Sequence, residues 1–166
     1  ILAAAGVPVP AGKVVSRFEA ARAHVLPAPY VLKPVAEGSS FGVFIVKEGR
    51  SHPPQELVSA EWTYGDMMLA EKFVDGRELT CAVMGDRALG VTEIKPVSEA
   101  FYGYDAKYAK GGSIHVVPAQ IKENIYQQIQ ELAVVAHRAL GCRGVSRTDF
   151  RYDDRPGGTG ELVVLE

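Results

Sequence analysis

One long helical period, set among short apolar runs that turn residues interrupt every few positions, limits this chain more than any other feature. Ile121, Ile125, Ile129, Leu132, Ala136 and Leu140 recur at helical intervals, and Gly141 follows as a stop. Elsewhere the pattern is β. Runs at 30–33, 43–47, 68–74, 78–84, 88–94, 144–152 and 161–166 read as strands, and Gly85-Asp86 supplies a two-residue hairpin turn. Ser16 reads as the N-cap of a short helix with Phe18, Ala21 and Val25 on its buried side, stopped by Pro27 and Pro29. A second short helix is expected over 56–63. Mixed element order with frequent hairpins predicts an α+β fold with largely antiparallel sheets.

Composition narrows the function classes. With 47% hydrophobic and 23% charged residues the chain is that of an ordinary globular protein, and its net charge of −2 offers no basic footprint for nucleic acid. Cys81 and Cys142 lack metal-ligand spacing and read as reduced thiols. His24, His52, His115 and His137 are scattered and do not suggest a zinc site, and Ser39 has no evident His and Asp partners for a hydrolase triad. No apolar run has the length of a membrane span, and the opening ILAAAGVPVPAG does not read as a secretory signal. Both ends read as cut: Ile1 opens in what looks like a helix tail, and Glu166 directly follows the apolar run LVVL.

Four segments could carry chemistry. In the last hairpin, Arg147 and Asp149 share a strand face, and a simple register about the turn DDRPGGTG brings Glu166 roughly opposite Arg147. Two carboxylates beside a guanidinium serve a divalent cation or a metal-free ion-pair cluster equally well. In KPVAEGSSFG, Lys33 precedes a loop of hydroxyls and N–H groups suited to a phosphate, although a plain polar turn accounts for the same residues. EKFVDGREL offers a strand edge and the acids Glu71 and Glu78 for an adenosine, or simply a solvated strand. FYGYDAKYAKGG combines tyrosines, lysines and hinge glycines as a lid would; packing of the tyrosines on a neighbouring face is the alternative.

Taken together, VLKPVAEGSSFGV, LAEKFVDGRELTCAV, FYGYDAKY and GCRGVSRTDFRYD ending in LVVLE resemble the ATP-grasp superfamily, and closely its D-alanine:D-alanine ligase branch, over essentially the whole chain. The resemblance implies ATP held between two antiparallel sheets, one from a lobe over residues 1–74 and one from a lobe over 75–166. It places Lys33 at the nucleotide's phosphates, Lys72 as a second cation at the nucleotide, Glu37 and Ser40 among the nucleotide-binding residues, Glu71 on the adenine amino group, Phe73 and Val74 beside the base, and Glu78 on the ribose. Asp149 and Glu166 would hold two Mg²⁺ ions, with Mn²⁺ as the alternative, and Arg147 would stabilise the transferring phosphoryl group. In the lid, Lys107 would close on the γ-phosphate, Tyr108 would join Ser39 near the first D-alanine, and Tyr102 and Tyr104 would shape the closed loop.

The implied reaction joins two D-alanines through an acyl phosphate, in the cytoplasm, for peptidoglycan synthesis and so for cell shape. A homodimer of the full-length protein is implied, with no membrane or nucleic-acid partner. Another ATP-grasp carboxylate–amine ligase and a non-catalytic nucleotide-binding module are the alternatives. The family's N-terminal domain, a further lysine before Ile1, and an asparagine metal ligand in an N-x-x-P-G turn beyond Glu166 are not in this sequence, so the 166 residues alone are expected to be inactive.

Overall fold

A computed structural model describes residues 1–97 and 112–166. The expected lid residues Tyr102, Tyr104, Lys107 and Tyr108 lie outside the described residues. The chain packs as two units, one of Pro10–Phe73 and the other of Val74–Glu166 together with Ile1–Val9.

The first unit is built on strands β1 (Gly12–Ser16), β2 (Tyr30–Pro34), β3 (Phe44–Val46) and β4 (Met67–Lys72), antiparallel in the order β1-β4-β2-β3. Tyr30, Leu32, Met68 and Ala70 alternate onto one face and close a core with Val15, Val46, Leu57 and the helix alanines Ala20 and Ala21. Helix α1 (Arg17–Arg22) starts as expected, its cap Ser16 accepting the Phe18 N–H at 3.2 Å. It ends sooner than expected, at Arg22, well before the prolines. Six residues cannot sustain a long stripe, so Phe18 is exposed and its ring instead carries the Arg17 guanidinium at 4.2 Å. The helix expected over 56–63 is only a 3-10 turn, Gln55–Val58. Ser59 explains the stop: its hydroxyl takes the Glu61 N–H at 3.1 Å, a local bond that competes with helix continuation.

The second unit holds β5 (Arg77–Met84), β6 (Arg87–Pro96), β7 (Ser113–Val116), β8 (Val145–Tyr152) and β9 (Leu162–Val164), antiparallel in the order β7-β6-β5-β8-β9. Gly85-Asp86 joins β5 to β6 as the hairpin signal required, with Gly85 at φ 62°. Helix α2 (Glu123–Ala139) covers one sheet face, burying Ile129, Ala133 and Ala136 against Leu79, Cys81, Val83, Val91 and Phe150. Leu140, the last position of the expected stripe, lies past the helix and is exposed. Burial pushes the Cys81 thiol up to about 11, as an unreactive core cysteine requires.

Residues 1–9 depart from the expected division at Val74, because they belong to this second unit. Val7 lies in its core, and the Val164 N–H donates to the Pro8 carbonyl at 2.8 Å. Since Leu79, Cys81, Thr148 and Phe150 face α2, strict alternation turns Glu78, Thr80, Arg147, Asp149 and Arg151 to the opposite face. That face carries the candidate chemistry of the unit.

Candidate functional site

Strand register assembles the acid and the arginine of the second unit. Thr80 lies directly across from Asp149, and Arg147 two residues earlier on the same strand. Asp149 is 8% exposed; its Oδ1 accepts from the Thr80 hydroxyl at 2.7 Å and from Arg147 Nε at 2.9 Å, while Oδ2 accepts from the other arm of the guanidinium at 2.9 Å. This two-point fork is the strong form of an arginine–carboxylate pair. The Arg147 side chain, by contrast, is 62% exposed.

Glu166 does not fall opposite Arg147. The β8–β9 register pairs Phe150 with Val164 and Tyr152 with Leu162, which in a regular ladder would carry Glu166 to Thr148 and hence to the wrong face. The ladder breaks before that. Asp149 accepts the Leu165 N–H and donates its own N–H to the Glu166 carbonyl, both at 2.8 Å, so two consecutive residues oppose one, as in a bulge. Such a step sets the Glu166 backbone beside Asp149 and not beside Thr148 or Arg147.

The offset comes from the connecting loop, which a simple register cannot anticipate. Asp153 organises it: Arg155 grips both carboxylate oxygens at 2.7 and 3.1 Å, and Thr159 donates its N–H at 3.0 Å and its hydroxyl at 3.2 Å. The Arg155 fork, followed by the Thr159 N–H, holds this carboxyl far below the usual carboxylate range. Neither Asp153 nor Arg155 figured among the expected site residues; the cluster DDR-P-G-G-T beside a strand end was the available signal.

Farther along the same face sits Arg151, also unforeseen although its spacing from Arg147 and Asp149 signals it. It lies opposite Glu78 and is 8% exposed. Burial draws its guanidinium below the ordinary value, and the Glu78 and Asp75 carboxylates oppose that shift.

In the first unit, Lys33 and Glu71 meet across β2 and β4 with Nζ 2.7 Å from Oε2, their side chains 26% and 12% exposed. Lys72 is separated from them. It pairs with Tyr30, so alternation sends its side chain to the opposite face of β4 from Glu71. The EGSSFG loop turns at Ser39 and Ser40, whose φ values of 53° and 64° are both left-handed, and Phe41 N–H closes the turn on the Gly38 carbonyl at 3.1 Å. Two consecutive positive φ angles normally call for Asn-Gly, so serines here hold strain of about 1–2 kcal/mol each. Gly42, at φ 65°, is hemmed in by Pro34, Trp62 and Tyr64. Trp62 and Tyr64 continue into an aromatic cluster with Phe41 and Phe44 that braces the loop, which the unreadable stretch around WTYG concealed. Glu37 is exposed beside the turn, Phe73 donates its N–H to the Pro29 carbonyl at 3.2 Å, and Val74 is buried.

The acids suit a hard cation, being carboxylate oxygens with no sulfur or imidazole beside them. No group of three or more His, Cys, Asp or Glu side chains gathers among the described residues. A cation at the expected Asp149 and Glu166 would therefore have no third such side chain beside it among the described residues. Asp149 keeps lone-pair capacity beyond its three protein donors, which fits a cation whose other ligands are water and phosphate oxygens.

Two antiparallel sheets with few helices match the ATP-grasp class of fold, and solved structures agree. A D-Ala:D-Ser ligase, VanG, from Enterococcus faecalis superposes with a TM-score of 0.69 at 32% identity, over 99% of this chain and 48% of that one. A D-alanine–D-alanine ligase from Bacillus anthracis gives 0.70 at 26% identity, over 99% and 52%. A family model described as D-ala D-ala ligase C-terminus matches residues 1–166, and the chain belongs to that family. A curated relative named D-alanine–D-alanine ligase, from Methylorubrum populi, is 69% identical over all 166 residues, and the chain spans 54% of its length.

Proposed function

We propose that the full-length protein carrying this chain joins two D-alanines to D-alanyl-D-alanine with ATP, supplying the dipeptide of the peptidoglycan precursor. The observation that carries this reading is the 69% identity over the whole chain with a protein named for that reaction. In it, the first D-alanine carboxylate attacks the γ-phosphorus, giving an acyl phosphate and ADP. The amine of the second attacks the acyl carbon, phosphate leaves, and the amine proton is lost to form the peptide bond.

The chain's own residues then have definite tasks. Arg147, exposed and anchored through Asp149, places a planar cation where charge grows on the transferring group. Thr80 fixes the carboxylate that orients it. Lys33 takes the phosphates, Glu37 and Ser40 line the nucleotide site, Lys72 adds positive charge from the end of β4, Glu71 and the backbone at Phe73 and Val74 take the base, and Glu78 takes the ribose. Ser39 and Tyr108 orient the first D-alanine, and Lys107 closes on the γ-phosphate. Asp149 and Glu166 would hold Mg²⁺, two ions in the complete site, and bound metal supplies charge neutralisation at the phosphates. We place the protein in the cytoplasm as a homodimer; among the described residues no helix is long and apolar enough to cross a membrane.

A second reading follows from the 32% identity to a D-Ala:D-Ser ligase: D-serine as the second substrate. The deciding experiment supplies the natural full-length protein with ATP, Mg²⁺ and either D-alanine alone or D-alanine with D-serine. D-alanine-dependent phosphate release with D-alanyl-D-alanine in the mass spectrum is the expected result. A mixed dipeptide formed in preference would select the second reading, and no amino-acid-dependent phosphate release would defeat both.

A further inference from the structure

A buried guanidinium must be accounted for, because an unmatched ion away from water costs several kcal/mol. Arg151 is such a group. Its Nε donates to the Val74 carbonyl at 2.9 Å, one terminal nitrogen lies 3.5 Å from the Glu78 carboxylate, and the other lies 3.9 Å from Asp75. The Glu78 side chain is itself only 11% exposed. Strand register puts Arg151 directly opposite Glu78.

One side chain therefore holds two groups that lie four residues apart and on either side of the Asp75-Gly76 turn. The turn itself is pinned. Gly76, at φ 100°, has no room for a Cβ against the Tyr152 carbonyl and Asp153, so the Val74 carbonyl and Glu78 approach β8 along a path with little slack. Arg151 bridges them from the strand that also carries Arg147 and Asp149. Its guanidinium faces all three acceptors and is buried, whereas that of Arg147 is 62% exposed.

We propose that Arg151 is the positioning residue of the adenosine half of the site, acting through Glu78 and the Val74 carbonyl to set how strongly the protein prefers a ribose with its 2′-hydroxyl. This rests on the reading of Glu78 as the ribose carboxylate. Arg151 does not touch the reacting phosphate; it holds the Glu78 acceptor in place. An apolar replacement would remove the guanidinium that faces Glu78 at 3.5 Å, and hydroxyl recognition would weaken.

The test uses the natural full-length protein with Arg151→Met, Arg151→Lys, Glu78→Gln and the double variant Arg151→Met/Glu78→Gln. KM and kcat are measured with ATP and with 2′-deoxy-ATP, and thermal melting is followed alongside. Glu78→Gln should lower the preference for ATP. Arg151→Met should lower it by a similar factor, raising KM for ATP about tenfold, more than kcat falls. Arg151→Lys should restore part of the preference, and the double variant should be no worse than either single one. If Arg151→Met does not fold, the lysine and double variants carry the comparison, since one keeps the charge and the other removes both partners. A preference that stays at the wild-type level in these variants while melting falls would make Arg151 a structural ion pair and overturn the proposal. A preference untouched by Glu78→Gln would instead remove the ribose reading beneath it.

Discussion

The two units hold their charged groups by different means. In the first, Lys33 and Glu71 meet across neighbouring strands, next to a loop whose turn rests on two left-handed serines braced by aromatic rings. In the second, Thr80, Arg147, Asp149, Arg151 and Glu78 are brought together by the β5–β8 ladder, one residue opposite another. Loop strain holds a shape that can be relieved by substitution; ladder register does not shift without moving every side chain on the face. The first unit should therefore tolerate changes that adjust it, and the second should not.

The largest break should come at Arg147. Arg147→Ala in the full-length protein is expected to lower kcat about 10²–10³-fold, the scale for losing one preorganised donor to a developing charge, while ATP affinity by calorimetry stays within a few-fold. Equal loss of both would place Arg147 in binding and not in the chemistry. Next is Gly76→Ala, which needs a Cβ where the Tyr152 carbonyl already stands and a positive φ that alanine resists. Strain alone of about 1–3 kcal/mol, with the clash added, should lower Tm by roughly 5–10 °C or more. An unchanged melt would mean that the β5–β8 end is looser than the ladder indicates.

A smaller effect, and one with a pH signature, is expected from Asp153→Asn. Because the folded carboxyl lies far below its ordinary 3.8, its stabilisation is full above that value and is lost as pH falls towards the much lower folded value. The variant's melting deficit should therefore hold constant from neutral pH to about pH 5 and shrink only in stronger acid. A deficit that disappears near neutrality would assign it to some other group. The smallest effect should run the other way. Ser40→Gly relieves a left-handed φ of 64° and should raise stability by up to about 1 kcal/mol, sharpening the contrast with Gly76, where glycine cannot be replaced. A destabilised Ser40→Gly would show that the hydroxyl, and not the backbone, holds the turn.

Much of this was legible in the residues. The hairpin at Gly85-Asp86, helix α2 with its glycine stop, the Ser16 cap and the shared face of Arg147 and Asp149 all follow from local chemistry and strand alternation. The misses have one character. The helix over 56–63 yielded to a serine side chain, Phe18 turned outward, residues 1–9 joined the second unit, and Glu166 landed beside Asp149 after a bulge. Thr80, Arg151 and Asp153 were overlooked because their importance lies in a partner on another strand or across a loop.

Period, cap, turn and the same-face spacing of residues two apart are properties of a chain segment, and the sequence by itself determined them. Which residue stands opposite which, as Thr80 does to Asp149 and Glu78 to Arg151, was decided only by the tertiary structure. Register depends on the length and internal bonding of the connecting loop and on which face the core claims, and both are settled only when distant segments pack.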